Sequence, residues 1–113
     1  FFDGMVDSII PVVVSHGEGR ASFSDNNNLI EMLKNEQITL KFDDKNGTLS
    51  YPDNPNGSPF GITGMSNTSG RFTIMMPHPE RNFRSDQNSW HPKNWGEFGP
   101  WYRMFTNTNK YFN

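Results

Sequence analysis

Ile9 to Val14 reads IIPVVV, and no other stretch restricts the fold so tightly. Five of its six residues are β-branched, and it lacks the polar alternation of a strand with one wet face. Such a run predicts a short strand buried on both faces, with a neighbour on each side. It leads directly into Ser15-His16-Gly17-Glu18-Gly19-Arg20, a glycine-rich polar loop at the strand's carboxyl end. In open α/β sheets, ligands collect at that edge.

The rest of the chain is poor in such material. Only 33% of the 113 residues are hydrophobic, and mean hydropathy is −0.76. Aromatic residues make up 14%, too many for a disordered segment. With 10 Gly and 8 Pro, the balance predicts folded material with a large share of loop. A net charge of −2 argues against a nucleic-acid or anionic-membrane partner. No apolar run approaches the roughly 20 residues of a membrane span. The opening Phe1-Phe2-Asp3-Gly4 has neither a basic leader nor an initiator Met, so the expectation is that the chain begins inside a longer one. The absence of Cys removes disulfides, thiolate metal sites and cysteine nucleophiles together.

Local patterns fill in the remaining elements. Ser24 or Asp25 suits the cap of a helix running to about Asn35, with Leu29, Ile30 and Leu33 as its stripe and Met32 at the border. Gln37 to Phe42 alternates as a half-buried strand with Ile38, Leu40 and Phe42 on one face. Asp43 to Gly47 carries hairpin chemistry, so Thr48 to Tyr51 is expected to return beside it. Pro52 to Pro59 predicts a rigid loop, with three Pro and one Gly in eight residues. Phe60 to Ser66 and Arg71 to Met76 predict two strands joined by a turn at Asn67 to Gly70. Asn82 to Gly99 reads as loop. Pro100 then opens a helix whose Trp101, Met104, Phe105, Thr108, Tyr111 and Phe112 keep helical spacing.

The sharpest chemical feature is Met75-Met76-Pro77-His78-Pro79-Glu80-Arg81. Pro79 drives His78 out of the α region, and in extended chain residues i and i+2 point the same way. His78 and Glu80 are therefore expected side by side. A carboxylate at one imidazole nitrogen fixes the tautomer and leaves the other nitrogen to take and return a proton. That supplies the base and the orienting acid of a nucleophile–base–orienter triad. The bland alternative is a proline-rich surface turn with Glu80 paired to Arg81.

Four segments resemble a known family. SHGEGR (Ser15 to Arg20), NPNGSPFGITG (Asn54 to Gly64), GRFTIMMPHPER (Gly70 to Arg81) and NSWHPKNWGEFGPWYRMF (Asn88 to Phe105) look like the end of the large single-chain phosphoribosylformylglycinamidine synthases. Their last domain is a class I glutamine amidotransferase. The likeness runs from about Ile10 to the terminus, in order and with similar spacing. HPE alone is widely shared among such amidotransferases, whereas NPNGS followed by MMPHPER and NSWHP is far more specific.

The resemblance implies the second half of a flavodoxin-like α/β domain, with peripheral β-hairpins and a C-terminal helix. Residues 1–113 would be the C-terminal portion of the amidotransferase domain, with the nucleophile-bearing half outside it. It implies a Cys-His-Glu triad in which His78 is general base and then general acid, and Glu80 orients it. Ser15, His16, Gly17 and Glu18 would border the glutamine pocket. The nucleophile belongs to a G-x-C-x-G elbow, and no Cys stands in this sequence. Ammonia would pass to a synthetase domain that uses ATP and magnesium to convert formylglycinamide ribonucleotide to its amidine. The implied partners are glutamine, those synthetase domains and the other half of the amidotransferase domain. The implied location is the cytoplasm. Without that half, the isolated chain is expected to be partly unfolded or to associate.

Three rival readings stay open. The scaffold could serve as a non-catalytic binding module. His16-x-Glu18 and His78-x-Glu80 together could hold zinc or iron in a β domain, although the strands are too few for a closed barrel. Arg81, Arg84, Trp90, His91, Trp95 and Trp101 could form a basic–aromatic surface. There Asp86 and Glu97 offset the sparse cations, which favours a protein–protein contact over nucleic acid.

Overall fold

The computed structural model describes residues 1–15, 17–43 and 50–113. Helices and strands are mixed, and the chain divides into two compact units. One comprises Val14–Pro77, and the other joins Phe1–Val13 to His78–Asn113.

The Val14–Pro77 unit begins its regular structure with helix α1, Asn26–Lys34. The Asp25 carboxylate accepts the Asn28 backbone N–H at 2.9 Å, satisfying one donor of the first turn. The helix ends in a Schellman arrangement: Glu36 N–H donates to the Leu33 carbonyl and Gln37 N–H to that of Met32. Of the expected stripe, Leu29 alone is buried, while Ile30 and Leu33 are exposed. The helix thus rests on a single anchor.

That anchor meets a three-stranded antiparallel sheet in the order β1 (Ile38–Lys41), β2 (Ile62–Ser66), β3 (Thr73–Met75). Ala21, Leu29 and Ile62 form the core, with Phe23, Ile38 and Met65 packed around them. Ile62 is fully enclosed, which is worth about 1.5–3 kcal/mol of apolar transfer. The turn at Asn67 to Gly70 closes β2 onto β3 as expected, with Asn67 N–H donating to Phe72 and Gly70 N–H to Asn67. β1 pairs with β2, and the return expected at Thr48–Tyr51 falls partly outside the described residues. Asp44 to Leu49, the heart of that expected hairpin, lies outside the described residues. The clean alternation expected of β1 is also absent, since Ile38, Thr39 and Leu40 are all half-buried.

The Pro52–Pro59 loop is held by side-chain amides. Asn54 Nδ2 donates to the Ser58 carbonyl, its Oδ1 accepts Gly57 N–H, and Asn56 Oδ1 accepts Ser58 N–H. Ser58 Oγ then accepts the Ala21 N–H at 3.0 Å. Asn54 and Ser58 are buried because they replace a sheet ladder in satisfying this backbone.

In the other unit, helix α2 spans Tyr102–Phe112 directly after Pro100 and Trp101. Trp101 is 3% exposed, whereas Tyr111 and Phe112 at the far end stand in the open. The aromatic stripe therefore docks at its head only. Asn107 Nδ2 donates to the Phe1 and Asp3 carbonyls, both at 2.8 Å, and so ties the chain's start to α2. Asn82 to Gly99 is ordered by short 3-10 turns at Ser85–Gln87 and Lys93–Trp95 and a bridge between Arg84 and Phe98. Phe98 stacks on Tyr102 at 4.0 Å between ring centroids, with Phe83 alongside both.

The expected strand at Ile9–Val14 does not form. Ile9, Val13 and Val14 are exposed, and the segment enters no strand ladder among the described residues. A ladder needs a partner for each backbone N–H and C=O, and propensity alone does not supply one. The Pro11 carbonyl is instead taken up by side chains. Among the described residues, no helix is long and apolar enough to cross a membrane.

Candidate functional site

His78 and Glu80 are brought together. His78 Nδ1 lies 2.9 Å from Glu80 Oε1. The route differs from the extended segment expected from sequence. His78 itself is non-helical, at φ −107° and ψ 85°, but Pro79–Arg81 forms one 3-10 turn with proline at its first position. Arg81 N–H donates back to the His78 carbonyl at 3.0 Å, and Asn82 N–H to that of Pro79 at 3.1 Å. The turn folds Glu80 back toward His78, which alternation along a strand would not do.

The electrostatics fix the proton. The Glu80 carboxyl is held below the usual carboxylate range, first by its own backbone N–H, then by the His78 ring, with Arg81 adding a smaller attraction. An ionised carboxylate only accepts, so Nδ1–H of His78 is the donor. Nε2 is then the nitrogen left for proton exchange. The side chains are 38% and 58% exposed, so the pair is reachable from solvent. Such a pair can orient an imidazole and steady its charged form, and it carries no nucleophile of its own.

The loop residues named from sequence lie in the Val14–Pro77 unit. Ser15 is exposed, and His16 lies outside the described residues. Gly17 is exposed, and a Cβ there would meet nothing within 4 Å, so no neighbour among the described residues requires its missing side chain. Glu18 lines a cleft of about 170 Å³ together with Arg20, Thr63, Met65, Met75 and Met76, among others. Among the described residues, no three His, Cys, Asp or Glu side chains group as metal ligands.

The basic–aromatic surface is dispersed. Arg84 faces Asp86 and Glu97, each at 3.4 Å, His91 stacks on Trp95, and Trp101 is buried. Trp90 alone of the three tryptophans stands well out, at 77% exposure.

Sequence reasoning missed the support behind the HPE turn. Asn82 is 3% exposed, and its Nδ2 donates to the Pro11 carbonyl at 3.1 Å. Trp101 Nε1 donates to the same oxygen at 3.0 Å. A lone Asn after Arg81 carries no periodic or motif signal that would have marked it.

The family model of the CobB/CobQ-like glutamine amidotransferase domain matches residues 1–112, and the chain belongs to that family. Its class of chemistry is therefore glutamine-dependent amide-nitrogen transfer, with glutamine as the substrate.

Proposed function

We propose that this chain is the acid–base portion of the glutaminase site in an ATP-dependent ligase of purine biosynthesis, phosphoribosylformylglycinamidine synthase. On this reading residues 1–113 are the C-terminal part of a flavodoxin-like amidotransferase domain. A cysteine from the preceding part is the nucleophile. His78 Nε2 takes the proton of that thiol, the thiolate attacks the side-chain carbonyl of glutamine, and the C–S bond forms. As the C–N bond breaks, His78 Nε2 gives its proton to the leaving ammonia. Water then attacks the thioester as His78 takes its proton, the C–S bond breaks, the thiol regains that proton, and glutamate leaves. Glu80 holds the imidazole through Nδ1 and steadies its positive charge at each stage.

The observation that carries the reading is the 2.9 Å contact between His78 and an ionised Glu80 in a chain of an amidotransferase family. Ser15, His16, Gly17 and Glu18 are assigned to the border of the glutamine pocket. ATP and magnesium are assigned to the synthetase domains, as partners of the cytoplasmic parent chain. Trp90 is the exposed anchor most suited to contact them.

The test joins this chain to a segment bearing a G-x-C-x-G elbow and measures glutamate release. His78→Ala and Glu80→Gln should each lower kcat by about 100-fold or more, with chelators having no effect. Wild-type turnover in His78→Ala would overturn the assignment. Glutamine binding without hydrolysis, with the cysteine intact, would reduce the chain to a binding module.

A further inference from the structure

We infer that Asn82 is a positioning residue for the His78–Glu80 pair, acting through the Pro11 carbonyl that it shares with Trp101. The inference rests on the reading of that pair as the proton-handling part of a glutaminase site.

Glu80 sits in a turn of three residues, Pro79–Arg81, with no side-chain cap at its start. Two backbone hydrogen bonds close it, from Arg81 to His78 and from Asn82 to Pro79. A turn that short has little stability of its own. Its carboxylate keeps one orientation only if the ends are held from outside. The upstream end is confined by the prolines on either side of His78.

Asn82 holds the downstream end. The chain leaves the helical region there, at φ −148° and ψ 28°, and Arg81 before it is exposed. Yet Asn82 is almost fully enclosed, and its Nδ2–H reaches a carbonyl 71 positions earlier. Pro11 has no N–H and takes part in no strand, so its carbonyl is open to both donors. The second donor, Trp101, is itself buried at the head of α2. The turn is thereby tied through one oxygen to a large, enclosed side chain of the same unit.

The amide is a poor choice for stability alone. Asn82 Oδ1 is buried with no hydrogen-bond partner among the described residues, which works against folding. A leucine would fill the space with no such penalty, but it would not donate to Pro11. An Asn at this place makes sense where direction matters more than burial.

The test follows the His78 tautomer by ¹⁵N–¹H correlation of the imidazole, in this chain joined to its nucleophile-bearing segment. Wild type should hold the proton on Nδ1, and Glu80→Gln should lose that preference. Asn82→Leu should lower the Nδ1–H to Nε2–H ratio by about tenfold while the backbone spectrum remains that of a folded protein. Asn82→Asp, with the same shape and no donor toward Pro11, carries the same expectation should the leucine variant fail to fold. A wild-type ratio in a folded Asn82 variant, beside a changed ratio in Glu80→Gln, would overturn the role of Asn82 and leave the proposed function standing. A wild-type protein without the Nδ1–H preference would overturn both.

Discussion

Asn82 and Trp101 donate to a single acceptor, the carbonyl of Pro11, at 3.1 and 3.0 Å. The carbonyl therefore uses both its lone pairs, and each donor belongs to a side chain 3% exposed. Three segments far apart in sequence meet at one atom.

Trp101 contributes to that junction through both its bulk and its N–H, and two substitutions separate them. Trp101→Phe keeps most of the ring and removes the donor, so it should cost about 1 kcal/mol plus a modest packing loss. Trp101→Ala should cost about 3–5 kcal/mol, the usual range for emptying a buried aromatic site. Urea midpoints at unchanged m-value would report the difference. Equal losses in the two variants would mean that the indole N–H carries the whole effect.

The pairing of Glu80 with His78 has a pH signature. The carboxyl titrates below its ordinary value of 4.5 in the folded chain and near that value when unfolded. The stabilising contribution is thus complete above the ordinary carboxylate range and is lost as pH falls through the lowered folded value. It should be small, because Glu80 is more than half exposed. The stability gap between wild type and Glu80→Gln should shrink on going from about pH 7 to about pH 3. A gap that stays constant across that range would remove the ionised carboxylate from the account.

Sequence disclosed most clearly what rests on near neighbours. The Asp25 cap, the turn between β2 and β3, the start of α2 and the proximity of His78 to Glu80 all depend on residues within a few positions of each other. Features that depend on a distant partner were illegible. Ile9–Val14 has the composition of a buried strand, but composition does not supply a neighbouring ladder. β1 pairs with a strand that begins only at Ile62, and the long-range amides of Asn56 and Asn82 leave no periodic trace. Even the HPE segment was right in outcome and wrong in route. His78 does stand outside the helical region before Pro79, but proline is equally at home at the first position of a helical turn, and Pro79–Arg81 forms one in place of extended chain.

Gly64 shows how tightly β1 and β2 pack. A Cβ there would lie 2.9 Å from both Cβ and Cγ of Leu40. Leu40 Cβ is fixed to the backbone of β1, so relief requires moving the strand rather than a side-chain tip. Gly64→Ala should destabilise by about 1–3 kcal/mol, as overpacked sites do. Leu40→Ala should recover part of that loss in the double variant, giving a coupling of about 0.5 kcal/mol or more. Strict additivity would show that the contact relaxes elsewhere.

Glu36 occupies the residue after the α1 cap at φ +55°, a left-handed conformation that a Cβ disfavours. Its N–H and that of Gln37 close the end of α1 onto Leu33 and Met32, so the conformation is required by the helix termination itself. The side chain is exposed and takes part in no ion pair among the described residues. Glycine meets the same geometry without the steric penalty, though it adds freedom to the unfolded chain. The first effect is the larger at a left-handed site, and Glu36→Gly should raise stability by about 1 kcal/mol. Asn at the same position should give a smaller gain, since its short polar side chain tolerates this region better than Glu does. A fall in the urea midpoint for Glu36→Gly would show that unfolded-state entropy outweighs the strain, and that the long Glu side chain contributes to the end of α1 in a way its exposure conceals.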